Sequence, residues 1–305
     1  MAEDTTTARR EFMEALVAAG HIIPAGVPGI WGRGGVFEDI VDRVGNLVTG
    51  LGSADGATVM RFPPVISRAT FVQSEYLKGF PDMAGLVSSF VGKDKEHHEL
   101  LAELEAGRDW TGHFKPTEVV LAPAACYPVY PTATGTLPEG GKVVDVLGYC
   151  FRHEPSDDPA RCQAFRQREH IRIGKPEEVR AWRELWLERG NTLISWLGLP
   201  GTPDVANDPF FGRGGRMLKL DQREQQLKFE MLVPVTSVES PTAVISFNYH
   251  QEHFGRAFHI KTHDGETAHT ACVGFGMERI TLSMFKTHGM DVATWPAAVR
   301  AKLWP

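Results

Sequence analysis

Apolar residues recur at helical spacing in several stretches of the chain. The strongest helix signal covers residues 176–199, which begin with Pro176 and carry two acids in the first turn. Residues 95–107 form an amphipathic pattern whose charged face we expect to contact water. A helix is also expected over residues 10–19. Residues 36–52 place their apolar positions on one helical face, and these are Val36, Ile40, Val41, Val44, Leu47 and Val48.

Apolar runs bounded by turn residues predict strands between these helices. The run over residues 57–64 should stop at its two prolines. Residues 142–154 and 164–174 are predicted to form antiparallel strands joined by a loop over 156–161. The Gly- and Pro-rich residues 20–35 suit a loop. Further strands are expected in residues 117–131, 225–235 and 241–255, and before a helix that ends at Gly289. This order predicts an α+β fold, an antiparallel sheet flanked by helices.

Composition narrows the class of protein. The chain has 305 residues, 42% of them hydrophobic, which is enough for one large domain or two ordinary ones. No apolar run approaches the roughly 20 residues that span a bilayer, and the polar N-terminus lacks the apolar core of a secretion signal. Four scattered cysteines fit a reducing compartment, so we expect a cytoplasmic protein. The formal charge of −6 argues against a large nucleic-acid surface.

The stretch GYCFRHEPSDDPARCQAFRQREHIRIG, residues 148–174, concentrates arginines in this acidic chain. Arg152 and Glu154 are two residues apart, so on a strand their side chains share a face. The planar fork of arginine suits an α-phosphate, and a glutamate can accept from an exocyclic amine. Arg161 and Phe165 add a second cation and a ring that can stack on a base. A salt-bridged hairpin with a core phenylalanine fits these residues equally well.

A second signal is GFGMERI, residues 274–280, where a small-residue strand turns into a helix. Gly274 and Gly276 permit close approach to the backbone, and Glu278 and Arg279 open the helix. Taken alone, the motif fits a tight strand–helix junction better than it fits a binding site.

The order of these signals resembles the three signature motifs of class II aminoacyl-tRNA synthetases. The first motif, a helix and a strand that ends in proline, matches residues 36–64. The arginine-rich hairpin and the Gly-x-Gly-x-Glu-Arg segment match the second and third motifs. The resemblance implies a class II synthetase-like antiparallel sheet, a dimer interface at the first motif and an ATP site formed by the other two.

The same resemblance assigns roles to single residues. Arg152 would bind the α-phosphate, Glu154 would accept from the adenine amine and Arg161 would reach the γ-phosphate. Phe165 and Arg279 would cover the two faces of the adenine. Arg152 and Arg279 would also neutralise charge during the reaction and are the catalytic candidates.

Five further segments are similar to the methanogen-type seryl-tRNA synthetases and, more closely, to their truncated bacterial homologues, the amino acid:[carrier protein] ligases. They are LAPAACYPVYP, DPFFGR, QQLKFE, SFNYHQEHFG and HTACVGFGMER, and the similarity runs from about residue 36 to residue 304. Those enzymes use ATP with Mg²⁺ to make an aminoacyl-adenylate and load the amino acid on the phosphopantetheine thiol of a carrier protein. The resemblance implies a homodimer and a very small substrate, glycine or alanine.

Members of that group hold one zinc ion per subunit with two cysteines and one glutamate, and the matching residues are Cys126, Glu169 and Cys272. Two thiolates and a carboxylate suit zinc and leave a fourth position for the α-amino group of the substrate. Glu169 would thereby also belong to the substrate site. The residues alone leave another ligand set open, because five histidines precede Cys272: His250, His253, His259, His263 and His269.

The resemblance is weakest at the magnesium ligands. The position that aligns with the carboxylate of the family is Thr242, so Glu230 and Glu239 are the candidate substitutes. The remaining walls have candidates that ordinary sheet polarity would also explain: Lys228, Glu230 and Ser246 for ATP, and Asn248 for the amino acid.

We expect residues 1–35 to be an N-terminal extension and residues 36–305 to be the catalytic domain, without a separate tRNA-binding domain. The extension has no long heptad arm or basic cluster, which favours a carrier protein over tRNA as the acceptor. The helix over residues 176–199 suits either carrier docking or packing, through Arg180, Trp182, Arg183, Trp186 and Arg189. Two other functions stay open: a tRNA synthetase that uses a separate tRNA-binding partner, and an idle paralogue that acts as a binding or regulatory subunit.

Overall fold

A computed structural model describes residues 5–206, 208 and 225–305 of the chain. The helices predicted at residues 10–19, 36–52, 95–107 and 176–199 are confirmed. The α-helices of the described residues are α1 (Thr5–Ala18), α2 (Gly35–Gly52), α3 (Arg68–Gln73), α4 (Tyr76–Gly79), α5 (Asp94–Glu105), α6 (Pro176–Trp196), α7 (His253–Ala257), α8 (Met277–His288) and α9 (Ala297–Leu303).

The strands form one large sheet and three smaller groups. They are β1 (Ile22–Val27), β2 (Ile30–Arg33), β3 (Thr58–Arg61), β4 (Val65–Ser67), β5 (Leu86–Phe90), β6 (Phe114–Leu121), β7 (Gly135–Thr136), β8 (Lys142–Phe151), β9 (Ala164–Gly174), β10 (Thr202–Val205), β11 (Lys228–Val233), β12 (Thr242–Gln251), β13 (Ile260–Lys261) and β14 (His269–Gly276).

The main sheet has seven strands in the order β10-β11-β12-β14-β9-β8-β3. Every neighbouring pair is antiparallel except β3 and β8, which are parallel. A second, three-stranded antiparallel sheet has the order β4-β6-β5. The α+β class with a predominantly antiparallel sheet, predicted from the sequence, is therefore confirmed.

The two faces of the main sheet have different neighbours because side chains alternate along each strand. On β14, Val273 and Phe275 are buried with Trp186 of α6 in the largest hydrophobic core cluster. Cys272, which points the other way, lies in a second cluster with Ile171 and Val144. The helices thus cover one face of the sheet, and part of the other face is left for a site.

Helix α6 approaches the sheet closely at Gly190. A Cβ atom at this position would lie 2.5 Å from Cζ of the buried Phe247 on β12. Glycine therefore sets the distance between the helix and the strands that carry the candidate site.

The prediction of a loop over residues 20–35 is wrong, since β1 and β2 form a hairpin in which Ile22 pairs with Arg33. Pro28 and Gly29 occupy its turn, and Gly29 adopts φ 78°, the left-handed conformation that a tight turn requires. Here Pro28 and Gly29 form the turn of a short hairpin, so a high content of Gly and Pro does not exclude strands.

Several predicted strands end earlier than expected, and two of them are followed directly by another element. The strand over residues 57–64 stops at Arg61, and a separate strand, β4, begins after the two prolines. The strand over residues 241–255 stops at Gln251, which has φ 52°, and α7 follows at His253. The second break falls where the backbone leaves the extended conformation, and the first falls just before the two prolines.

None of the described helices combines the length and the apolar character needed to cross a lipid bilayer. Part of the proposed N-terminal extension packs into the main core, where Phe12, Leu16 and Ile22 are buried with Phe37 of α2.

Gly190→Ala should destabilise the protein by about 1–3 kcal/mol because the new methyl group overpacks the contact with Phe247, although alanine is the better helix former. Gly50→Ala is the matched control: Gly50 lies in α2, is exposed and has no atom within 4 Å of its would-be Cβ. This control should gain up to about 1 kcal/mol. Urea unfolding of both variants measures the difference, and equal stabilisation by the two would contradict the packing argument.

Candidate active site and metal centre

A cavity of about 610 Å³ opens over the sheet face that carries Cys272 and Gly274. It gathers side chains from segments that are far apart in sequence. Of the twelve site residues predicted from the sequence, only Arg161 is outside its lining. The other eleven are Cys126, Arg152, Glu154, Phe165, Glu169, Lys228, Glu230, Ser246, Asn248, Cys272 and Arg279.

Strand register explains why so many of these residues meet. Lys228, Asn248 and Cys272 are successive partners across β11, β12 and β14. Paired residues in a sheet project from the same face, so the three side chains form one row.

A second row lies beside the first, because Glu230, Ser246, Gly274 and Glu169 are successive partners across β11, β12, β14 and β9. Gly274 has no side chain, and a Cβ there would lie 3.2 Å from the Ser246 hydroxyl. The two rows together form the floor of the cavity.

Arg152 and Arg279 are held by backbone carbonyl groups. The Nε–H of Arg152 donates to the Pro123 carbonyl at 3.1 Å. Arg279 donates from Nε to the Ala160 carbonyl at 2.9 Å and from Nη1 to the Ala243 carbonyl at 3.1 Å. Burial and the positive charge of Arg152 lower the pKa of Arg279, so the two cations lie close to each other. An anion bound between them would relieve this repulsion.

The expectation that Arg152 and Glu154 lie on a strand is wrong, since β8 ends at Phe151. Both side chains still line the cavity, because the chain after the strand runs along its rim. The Arg152 guanidinium lies 5.4 Å from the centre of the Phe165 ring. Arg161 Nη1 pairs with Glu154 at 3.2 Å and its side chain is 54% exposed, so Arg161 stands at the mouth of the cavity.

Lys228 is buried between two carboxylates. Its ammonium lies 2.5 Å from Asp208 and 2.9 Å from Glu230. Burial opposes the charge of Lys228, but Asp208 and Glu230 outweigh this effect and raise the pKa of the ammonium. The β11 end of the cavity floor therefore carries an ion cluster in which the lysine is neutralised.

Cys126, Glu169 and Cys272 converge at the other end of the floor. One ligand atom from each residue lies within 4.8 Å of the other two, and all three side chains are buried. Cys126 comes from the loop after β6, Glu169 from β9 and Cys272 from β14. The backbone N–H of Ala125 donates to Glu169 at 2.9 Å and fixes the carboxylate.

The chemistry of this cluster fits a zinc ion. The neighbouring Cys272 thiol, burial and the Glu169 charge raise the pKa of Cys126. Burial raises the pKa of Glu169 as well, although the Ala125 amide and Arg152 act in the opposite direction. Three acidic ligands crowded together in a buried place repel each other when ionised, and a divalent cation would remove that cost.

The alternative ligand set of five histidines is not brought together. Within the described ranges, the one cluster with metal-binding geometry is Cys126, Glu169 and Cys272. His269 bonds to the Tyr249 hydroxyl, and His253 bonds to the Ser74 carbonyl. Only His250 comes near, with Nε2 at 3.6 Å from the Cys272 sulfur. Burial lowers the pKa of His250 to about 3, so its ring is neutral.

Glu278, the acid of the second signal, anchors the start of α8. Its carboxylate accepts from the backbone N–H of Arg166 at 2.7 Å and from the Arg166 Nε–H at 2.8 Å, and it pairs with Arg33 at 3.4 Å. The Nη groups of Arg166 bind Glu38 of α2 at 2.5 and 2.9 Å. This buried ion network fixes the turn of helix that carries Arg279.

Sequence reasoning missed one wall of the cavity. Tyr76, Phe80 and Met83, in or near α4, line the cavity together with Tyr127. Burial raises the pKa of Tyr76 to about 12, so this phenol stays protonated. The short helical segments at α4 and residues 81–83 have no long apolar period, so the pattern offered no signal for them.

The remaining candidates differ in outcome. Helix α6 packs against the rest of the protein. Its Trp182 and Trp186 are buried, and its Arg189 pairs with Asp55 at 2.6 Å, so these three residues are not exposed for carrier docking. Glu239 and Thr242 do not line the cavity, whereas Glu230 does. Most of the DPFFGR segment lies outside the described residues.

Two proteins of Bradyrhizobium diazoefficiens (strain USDA 110) are similar over most of their length. Amino acid–[acyl-carrier-protein] ligases 1 and 2 are 48% and 47% identical to the chain over 277 residues, which is 90% of the chain and 85% and 83% of the relatives. The type-2 serine–tRNA ligase of Methanopyrus kandleri is 29% identical over 270 residues, and the chain spans 50% of that relative.

Seryl-tRNA synthetases of known structure have a similar fold. The chain superimposes on M. kandleri SerRS, in a complex with A. aeolicus tRNASec, with a TM-score of 0.81 at 24% identity, covering 97% of this chain and 60% of that one. Seryl-tRNA synthetase from Pyrococcus horikoshii, complexed with ATP, gives 0.68 at 14% identity, covering 91% of this chain and 58% of that one. No protein-family model matches the chain. From the similarity to the two Bradyrhizobium enzymes, the chain belongs to the amino acid–[acyl-carrier-protein] ligases and is a ligase with the class II synthetase fold.

Proposed function

We propose that this ligase uses ATP to convert a small amino acid, glycine or alanine, into an aminoacyl-adenylate and then transfers the aminoacyl group to the phosphopantetheine thiol of a carrier protein. The observation that carries the proposal is that one cavity contains both a pair of converging arginines and a three-ligand cluster. The first feature suits a phosphate, and the second suits a metal that binds an amine.

The arginines would bind the nucleotide. Arg152 and Arg279 donate to carbonyl groups, which orient the guanidinium groups without cancelling their charge. The α-phosphate would lie against Arg152, and Arg279 and Phe165 would enclose the adenine. Glu154 would accept from the adenine amine. Arg161 would leave Glu154 for the γ-phosphate, and its exposed side chain is free to turn.

The first step needs no protein acid or base. The amino acid carboxylate attacks the α-phosphorus in line, a new P–O bond forms, and pyrophosphate leaves with the electrons of the broken bond. Arg152 and Arg279 would neutralise the charge that grows on the phosphate oxygens, and preorganised charge of this kind is commonly the largest catalytic contribution. In the second step the thiol attacks the adenylate carbonyl and AMP leaves.

Cys126, Glu169 and Cys272 would hold a zinc ion. With three protein ligands, a zinc ion held there would have a fourth position to offer to a neutral α-amino group. Glu169 and the Ala125 amide would keep this end of the substrate in place, on the same floor as the phosphate site. Asn248 and His250 both lie within about 3.6 Å of the Cys272 sulfur and line the cavity, so they would border the bound amino acid.

Magnesium would enter with ATP as part of the substrate. Glu230 is the candidate acid that lines the cavity, and its pairing with Lys228 gives it a fixed position beside the Ser246 row. Lys228, Ser246 and Asn248 would then complete the polar floor under the triphosphate and the amino acid.

A homodimer is also proposed, with its interface at residues 36–64. Strand β3 is the edge of the main sheet, and its Val59 is 63% exposed. Val36 at the start of α2 is 47% exposed. Exposed apolar residues beside an unpaired sheet edge favour contact with a second subunit.

Activation is tested by exchange of labelled pyrophosphate into ATP. We expect exchange that depends on an added amino acid and is fastest with glycine or alanine. A phosphopantetheinylated carrier protein from the source organism should then gain the mass of one aminoacyl residue, and tRNA should not be charged. Charged tRNA would instead indicate a synthetase, exchange fastest with a large amino acid would exclude the small substrate, and no exchange with any amino acid would favour an idle paralogue.

Arg152→Lys should reduce amino-acid-dependent exchange by roughly 10²–10³-fold, because an ammonium cannot replace the bidentate fork at the phosphate. Arg256→Lys makes the same change on an exposed arginine of α7 and should leave the rate unchanged. Initial-rate exchange assays compare them. Equal rates for the two variants would be incompatible with a phosphate contact at Arg152.

Cys126→Ala and Cys272→Ala should each lose zinc and amino acid activation together, since one thiolate and a carboxylate do not hold zinc as tightly as three ligands. Cys150→Ala is the matched control, because Cys150 is equally buried but contacts Gln167, with its sulfur 3.2 Å from Oε1. Metal analysis by mass spectrometry reports the zinc content. Full zinc occupancy in both test variants would remove this centre.

A further inference from the structure

Tyr130 has a hydroxyl group that the fold buries without a partner. The residue is fully buried, and its ring stacks on Phe254 with centroids 4.0 Å apart. No hydrogen bond satisfies its Oη within the described part of the chain. Cys126, Cys272 and Glu169 are the ionisable groups that act most strongly on this hydroxyl, with Cys126 first among them. A buried orphan hydroxyl costs free energy, so a partner that arrives later would explain it.

His250 offers a second donor on the other side of the cluster. Its Nε2 lies 3.6 Å from the Cys272 sulfur, and its Nδ1 lies 3.0 Å from the hydroxyl of buried Thr270. A metal-bound thiolate can only accept hydrogen bonds, so Nε2 would then carry the proton. Nδ1 would accept from the Thr270 hydroxyl, which fixes the tautomer and the plane of the ring.

The ligands need such donors because of their charge. Two thiolates and a carboxylate carry three negative charges, and one divalent ion leaves an excess of one in a buried place. Glu169 already has the Ala125 N–H as its donor, and Asn248 Nδ2 lies 3.5 Å from the Cys272 sulfur. The corresponding donor for Cys126 would be the Tyr130 hydroxyl, which lies in the same buried cluster as Cys126 and interacts with its thiol.

We propose that Tyr130 and His250 are positioning residues of the metal centre: the Tyr130 hydroxyl donates to the Cys126 thiolate, and His250 Nε2–H, oriented by Thr270, donates to the Cys272 thiolate. The inference depends on the proposed zinc centre and goes beyond its ligands. Tyr130 is not among the residues that line the cavity, and His250 lines it beside Cys272, so both would act through the sulfur atoms, by stabilising them as thiolates and by fixing their direction.

The test uses the full-length protein with zinc, and with Co²⁺ as a spectroscopic probe. Tyr130→Phe removes only the hydroxyl. His250→Leu removes the donor, whereas His250→Gln keeps an amide N–H near the position of Nε2. Tyr249→Phe is the control, because it removes a hydroxyl that is bonded to His269 and not to the cluster. Zinc affinity is measured by competition with a chelator, and folding of each metal-free variant by circular dichroism.

We expect Tyr130→Phe and His250→Leu each to weaken zinc binding roughly 10–100-fold, the usual effect of removing a partner of a metal ligand. The sulfur-to-cobalt charge-transfer band should shift to longer wavelength, because a thiolate without its donor gives up charge more easily. His250→Gln should recover most of both effects, and Tyr249→Phe should match the wild type.

Three negative results have different meanings. If the wild-type protein binds no zinc, the centre itself is wrong and this inference is wrong with it. If the wild type binds zinc while Tyr130→Phe and His250→Leu keep its affinity and its cobalt spectrum, the centre stands and the donor roles are refuted. Equal losses in His250→Gln and His250→Leu would refute the hydrogen bond from His250.

Discussion

The pairing of β9 with β8 along one edge and β14 along the other is the constraint on which the candidate site depends. Because side chains alternate, this register places Glu169 over the cavity and Arg168 and His170 against the helices. A slip by one residue would exchange the two sets. Arg168, whose buried guanidinium binds Asp145 and the Gly45 carbonyl of α2, could not move to the other face without leaving a buried carboxylate unpaired.

The buried charged side chains fall into two groups, those that pair with a carboxylate of the protein and those that do not. Arg166, Arg168 and Lys228 are buried and are each neutralised by a carboxylate of the protein. Arg152 and Arg279 instead donate to backbone carbonyls, which hold a guanidinium but leave its charge. At the cluster the sign is reversed, since Cys126, Glu169 and Cys272 are potential anions that form no ion pair with a lysine or arginine of the described residues, although the charge of Arg152 reaches Glu169. The end of the cavity with Arg152 and Arg279 thus suits an anion such as ATP, and the end with the cysteines suits a metal cation.

The spacing of apolar residues predicted an element correctly where that element spans many residues. The helix at α2 and the strand at β9 follow directly from the apolar spacing, and the strand bounds at Ala164–Gly174 match the prediction. It failed for β1, β2, β5 and the helices α3, α4, α7 and α9, whose few residues give no usable period. The arginines could be predicted from motifs with local spacing. The metal ligands could not, because three strands or loops bring them together, and only the resemblance to a family indicated them. Tyr130 had no signal in the sequence, and His250 was indicated only as an alternative metal ligand, since a hydrogen-bond donor is defined by where its side chain points.

The ion network around Glu278 connects the first and third motifs physically. Glu38 on α2 binds Arg166 on β9, and Arg166 binds Glu278 at the start of α8, next to Arg279. All of these bonds are charge-assisted and largely buried, so they are stronger than exposed ion pairs and resist displacement. If α2 shifted, these hydrogen bonds would either break or move Arg166 and Glu278 together with the helix. The position of Arg279 in the proposed nucleotide site is therefore tied, through Arg166, to the same helix that presents Val36 at the surface.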